Sequence, residues 1–99
     1  MIEALIKAAF ENKASDIFLS EGSIARMKVN GQLMIAGDDP IENEDMVAFW
    51  KRCGADPEYD GDRDSSYVAH NGVRFRVNLN RHLGNLGAVL RQINTAIPD

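Results

Sequence analysis

The chain has 99 residues, of which 44% are hydrophobic and 26% charged, with 15 carboxylates against 11 lysines and arginines for a net charge of −4. That length fits one small domain with one modest core, and the negative balance argues against wholesale nucleic-acid binding. No apolar run reaches the roughly 18 residues that span a bilayer. The opening MIEALIKAAFENK carries Glu3, Lys7 and Glu11 where a signal peptide needs a clean apolar stretch, so the chain reads as cytoplasmic.

In chain order, Ile2, Leu5, Ile6, Ala9 and Phe10 recur at helical spacing and predict an amphipathic helix ending near Asn12 to Ser15. Asp16 to Leu19 reads as a short strand. Asn30-Gly31 is a type I′ turn signal that joins Ile24–Val29 to Gln32–Ile35, and the Gly37-Asp38-Asp39-Pro40 cluster is expected to close that hairpin. Asp39 as N-cap, Pro40 as first helical residue and Glu42 three residues after the cap predict a second helix over 40–52, with Gly54 stopping it. Met46, Phe49, Trp50 and Cys53 then share a core face, with Val47 beside them.

A second Asn-Gly pair, Asn71-Gly72, predicts another two-residue hairpin loop. In that register Val68 faces Phe75 and Ser66 faces Val77, so Val68, Val73, Phe75 and Val77 are core, and Arg74 and Arg76 project from the other face near Ala69 and Tyr67. A loop over Asn80–Asn85 leads to a last strand, Leu86 to Ile93. Helix, hairpin, helix and three strands make a single small α+β domain with an antiparallel sheet, and the hairpins leave sheet edges able to pair with another chain.

Charge divides along this order. Asp38 to Asp64 contains ten carboxylates, whereas Ser65 to Pro98 contains none and carries Arg74, Arg76, Arg81 and Arg91. The planar fork of arginine suits phosphate or carboxylate. The alternation of Asp56, Glu58, Asp60, Gly61, Asp62 and Asp64 looks like the start of a calcium loop, but its twelfth position is Tyr67 and Pro57 interrupts it, so a solvated acidic loop is expected. Cys53 is alone, cannot form an internal disulfide, and is expected to be a packing residue. His70 and His82 sit beside a turn and in a loop. No phosphate-loop, H-E-x-x-H or G-x-S-x-G motif is present, and neither a catalytic nor a metal site is expected.

Four stretches together resemble the N-terminal domain of the type IV pilus retraction and type II secretion ATPases, in particular the PilT-like branch. They are ASDIFLSEG at Ala14–Gly22, RMKVNGQL at Arg26–Leu33, SSYVAHNGVRFRVNLNR at Ser65–Arg81 and GAVLRQINTAIP at Gly87–Pro98, in family order and spacing. Phe18 stands where the family commonly has histidine. The resemblance implies that residues 1–99 form a PAS-like domain, with the RecA-like motor domain and its ATP and Mg absent from this chain. It implies a homohexamer, in which the domain contacts the motor domains of its own and neighbouring subunits, and a position peripheral to the inner membrane beside a platform protein, without membrane insertion or nucleic acid. It also implies that Arg76, Arg81 and Arg91 approach the nucleotide phosphates or the subunit interface. The alternatives are a free-standing PAS-like ligand sensor, and an interaction module in which Arg74, Arg76, Arg81 and Arg91 dock on an acidic surface.

Overall fold

In a computed structural model, residues 2–59, 61–69 and 72–93 are described. The elements are α1 (Ile2–Glu11), β1 (Asp16–Ser20), β2 (Ile24–Val29), β3 (Gln32–Pro40), α2 (Asn43–Arg52), β4 (Arg63–Val68), β5 (Arg74–His82) and β6 (Asn85–Gln92). The strands form one six-stranded sheet in the order β3-β2-β1-β6-β5-β4, with every ladder antiparallel. This is the expected α+β class with two helices.

Alternation along the strands divides the sheet into two faces. Ile17, Leu19, Ala25, Met27, Tyr67, Phe75, Val77, Leu79, Leu86, Ala88 and Leu90 are buried and share the core with Ile2, Ile6 and Ala9 of α1 and Met46, Phe49 and Trp50 of α2. Leu5 and Phe10, also expected on the core face of α1, lie at its margin, Leu5 half-buried and Phe10 exposed. Trp50 is fully buried, and its indole N–H donates to the Gly87 carbonyl at 3.2 Å, tying α2 to the middle of β6. Gly87 permits tight packing there, because a Cβ would come within 2.6 Å of the Asn80 side chain and 3.2 Å of the Leu19 carbonyl.

The end of α2 follows local sequence closely. Gly54 adopts φ +80°, its N–H donates to the Lys51 carbonyl, and the Ala55 N–H donates to the Trp50 carbonyl, which is a complete Schellman motif. The start does not follow local sequence. The helix begins at Asn43 instead of Pro40, with Glu42 at the N-cap making no side-chain capping bond, and the Gly37-Asp38-Asp39-Pro40 stretch belongs to β3. Pairing across the sheet overrides the local capping pattern here. Pro40 lies opposite Ile24 past a bulge, and the Ile41 N–H donates to the Ser23 carbonyl, which seats the Ile41 side chain in the core.

The first hairpin has the expected turn, with Asn30 and Gly31 at φ 51° and 79° and Val29 opposite Gln32. The second is shifted by one residue from expectation. Tyr67 faces Phe75 and Ser65 faces Val77, so Tyr67 is buried and Val68 is 55% exposed. Arg74 and Arg76 do project from the other face, but beside Val68 and Ser66. Ala69 and Val73 close the loop, the Gly72 N–H donates to the Ala69 carbonyl, and Gly72 sits at φ 86°, which is the longer loop geometry that spends one extra residue. The expected two-residue turn includes Asn71, outside the described residues. The expected loop over Asn80–Asn85 is instead a tight hairpin with His82 opposite Asn85 and Leu83 and Gly84 both at positive φ.

Candidate functional site

The face of the sheet turned away from α1 and α2 carries the cations. Phe75, Val77 and Leu79 of β5 point into the core, so Arg74, Arg76 and Asn78 point out. Arg76 lies directly opposite Arg91 of β6, and Arg91 lies directly opposite Asp16 of β1, so these three side chains form one row across the centre of the open face. Lys28 of β2 continues the row beyond Asp16. In the next row Val89 lies opposite Phe18.

Two arginines directly opposite one another repel. Asp16 compensates one of them. Its Oδ2 accepts from Arg91 Nε at 3.3 Å and Nη2 at 3.2 Å, with the Asp16 side chain only 11% exposed and the Arg91 side chain 71% exposed. The Arg76 side chain has no hydrogen bond or ion pair among the described residues. Arg76, Arg91, Asn78, Val89 and Asp64 line one groove, at whose rim the Asn78 amide donates to Asp64 at 3.2 Å. The groove therefore holds one compensated and one uncompensated guanidinium side by side, a geometry that accepts a multivalent anion through charge-assisted hydrogen bonds.

Arg81 is separate from that pair. It lies on the core side of β5, where its Nη2 donates to the carbonyls of Pro57 and of Tyr59 (3.4 Å) and its Nη1 to the Gly84 carbonyl at 3.2 Å. Its guanidinium carbon stands 6.0 Å from the centre of the Trp50 ring. Arg81 thus clamps the acidic 56–59 segment onto the core. The structure brings Arg76 and Arg91 together and puts Arg81 on the opposite face.

The other candidates are accounted for locally. Cys53 is buried, and burial pushes its thiol up to about 11 although Arg52 pulls the other way. Asp56 Oδ1 accepts the Glu58 N–H at 2.9 Å in a local turn; Asp60 lies outside the described residues. His82 is exposed, and His70 is outside the described residues. Among the described residues no group of three His, Cys, Asp or Glu is arranged to hold a metal ion, and no helix is long and apolar enough to cross a membrane.

Sequence reasoning did not single out Asp16, although its place at the start of an alternating strand puts it on the same face as Phe18. Glu21 was also missed: it accepts the Leu86 N–H at 2.8 Å and both of its oxygens accept from the Asn43 amide, joining β6 to the start of α2. Neither contact has a local sequence signal, because both partners are distant in the chain.

Neither a family model nor a curated protein matches the sequence. Among solved structures, the chain is similar to the pilus retraction motor PilT with bound ADP, with a TM-score of 0.79 and 28% identity over 99% of this chain and 30% of that one. The ATPase DotB of Legionella pneumophila shares the fold at a TM-score of 0.75 and 21% identity, over 99% of this chain and 30% of that one. DotB of Yersinia pseudotuberculosis shares it at 0.68 and 16%, over 93% of this chain and 29% of that one. The chain thus spans about 30% of the length of the structures it matches. The resemblance carried by the four sequence stretches is therefore present in three dimensions: the whole chain is similar to a domain-sized part of the PilT-like and secretion ATPases, as the N-terminal domain of that family would be.

Proposed function

We propose that residues 1–99 act as a non-catalytic N-terminal regulatory and assembly domain of an ATP-driven motor for pilus retraction or secretion. The observation that carries this reading is the row Arg76, Arg91, Asp16 on an open sheet face, in a chain similar to a motor solved with ADP. Arg76 and Arg91 reach toward the nucleotide phosphates or the subunit boundary of the parent. Arg81 serves the same site indirectly, by fixing the end of β5. ATP and Mg belong to the RecA-like half of the parent, which supplies the phosphate loop; on this side the fit is that of guanidinium forks to an anion.

A guanidinium delivered by a separate domain gains electrostatic energy while the terminal phosphate is present and loses it on release, which couples nucleotide state to domain position. Arg91 would exchange part of its contact with Asp16 for that phosphate. In this reading the parent is a cytoplasmic homohexamer working beside an inner-membrane platform protein.

The test uses the parent protein. Arg76→Ala and Arg91→Ala should each lower ATP turnover while the domain keeps its fold by circular dichroism; unchanged turnover in both removes the pair from the mechanism. A coding sequence without a G-x-x-x-x-G-K-[ST] motif downstream of Asp99 would exclude the motor altogether.

A further inference from the structure

The two halves of β3 are treated differently. Gly37, Asp38, Asp39 and Pro40 carry the features that blunt an exposed sheet edge, namely charge and proline. Gln32 to Ala36 has none of them. Among the described residues β3 has β2 as its one sheet neighbour, and Leu33, Met34 and Ile35 are 60%, 46% and 64% exposed. Three consecutive large apolar side chains thus lie on both sides of an open strand edge.

The hairpin turn decides which backbone groups face outward. Val29 and Gln32 close a two-residue loop and exchange hydrogen bonds, so along β3 the residues facing β2 alternate with residues facing away. Leu33, opposite Lys28, and Ile35, opposite Arg26, are the ones whose N–H and C=O point to the open edge. They are two residues apart, which is the spacing an antiparallel copy of the same segment matches.

We infer that β3 pairs with β3 of a second copy of this chain, antiparallel about a two-fold axis at Met34. Leu33 then exchanges both backbone hydrogen bonds with the second copy's Ile35 and the reverse, while the two Met34 side chains meet on the other side. The four side chains Leu33, Ile35 and their copies form one apolar patch on the open face. Charge favours this register, since Asp38 falls opposite the uncharged Asn30 and no like charges oppose across the new ladder. Self-pairing also sets apolar against apolar side chains at both 33 and 35, which a strand of unlike sequence need not do. The inference does not rest on the motor reading, because it uses the β3 edge, whereas β5 is an inner strand near the other end of the sheet.

Sedimentation velocity of the chain at increasing concentration should show a monomer–dimer equilibrium. Ile35→Lys, at a position 64% exposed, should raise the dissociation constant at least tenfold while circular dichroism still reports the folded domain. The register has its own readout. In the non-hydrogen-bonded pair at the axis the two Cα atoms are about 4.5 Å apart, so Met34→Cys should cross-link to itself under mild oxidation, and much faster than Ala36→Cys. A chain that stays monomeric at millimolar concentration, a dimer untouched by Ile35→Lys, or equal cross-linking at 34 and 36 would each overturn the inference.

Discussion

Arg76 and Arg81 leave the same strand five residues apart and end in opposite environments. Arg76 stands on the open face opposite another arginine, with no anionic partner of its own among the described residues. Arg81 is folded against Trp50, with its Nη1 and Nη2 donating to the carbonyls of residues 57, 59 and 84. The period of two in a strand is enough to produce this: an odd separation reverses the face. One arginine is therefore built into the packing of the domain and the other is not. A run of arginines in sequence is not a single site.

Substitutions should break the two environments unequally. The largest loss should come from Trp50→Ala, which removes a fully buried ring, the bond to Gly87 and the surface on which Arg81 rests; about 3–5 kcal/mol is expected, read as a fall in the urea midpoint. Arg81→Ala comes next. Losing charge-assisted bonds to the 56–59 segment and the contact with the ring should cost about 1–3 kcal/mol and expose that segment to proteolysis. Arg76→Ala on the opposite face should change stability by no more than about 0.5 kcal/mol. Equal losses from the two arginines would erase the distinction drawn between them.

Much of the fold was legible because its signals are local. Helical spacing located α1 and the buried face of α2, Asn30-Gly31 located a turn, and Gly54 ended α2 as expected. What failed was decided by partners far away in the chain. The Asp39-Pro40-Glu42 capping pattern lost to the pairing of Ile24 with Pro40. Asn71-Gly72 suggested a two-residue turn, yet burial of Tyr67, whose hydroxyl donates to Glu3 at 3.0 Å, goes with a register one residue different. Of the site, Arg76 and Arg91 were legible as types in an alternating pattern; their adjacency was not, because it depends on the length of the Leu83-Gly84 turn.

The covered face has a chemical signature of its own. Burial raises Cys53 from 9.0 to about 11, and Tyr67 is raised as well, first by burial and then by its bond to Glu3. The native state therefore holds the thiol proton more tightly than the unfolded chain does. Stability from this source is complete below pH 9 and declines as pH rises toward 11. Cys53→Ala should flatten the dependence of the urea midpoint on pH over that interval, and iodoacetamide should label the wild-type thiol at pH 8 only as fast as the domain opens. Rapid labelling of the folded protein would show that α2 covers this face less firmly than the geometry says.

An effect of opposite sign concerns the turn on which the pairing of Arg76 with Arg91 depends. Leu83 is 89% exposed and occupies φ 52°, in a conformation that suits glycine or asparagine better than a bulky apolar residue. The side chain gains little from folding because it is almost wholly in water, while the backbone bears the strain of a left-handed residue. Leu83→Asn should therefore stabilise the domain by about 0.5–1 kcal/mol, seen as a higher thermal midpoint, because asparagine tolerates this backbone and keeps the two-residue turn. The register of β5 against β6 would be preserved, and with it the adjacency of Arg76 and Arg91. Leu83→Pro should do the reverse, since proline fixes φ near −65° and cannot occupy the turn. It should destabilise the domain and, in the parent protein, lower ATP turnover along with the alanine variants of the arginine pair. If Leu83→Asn lowered the midpoint instead, the leucine would be contributing packing that its exposure denies.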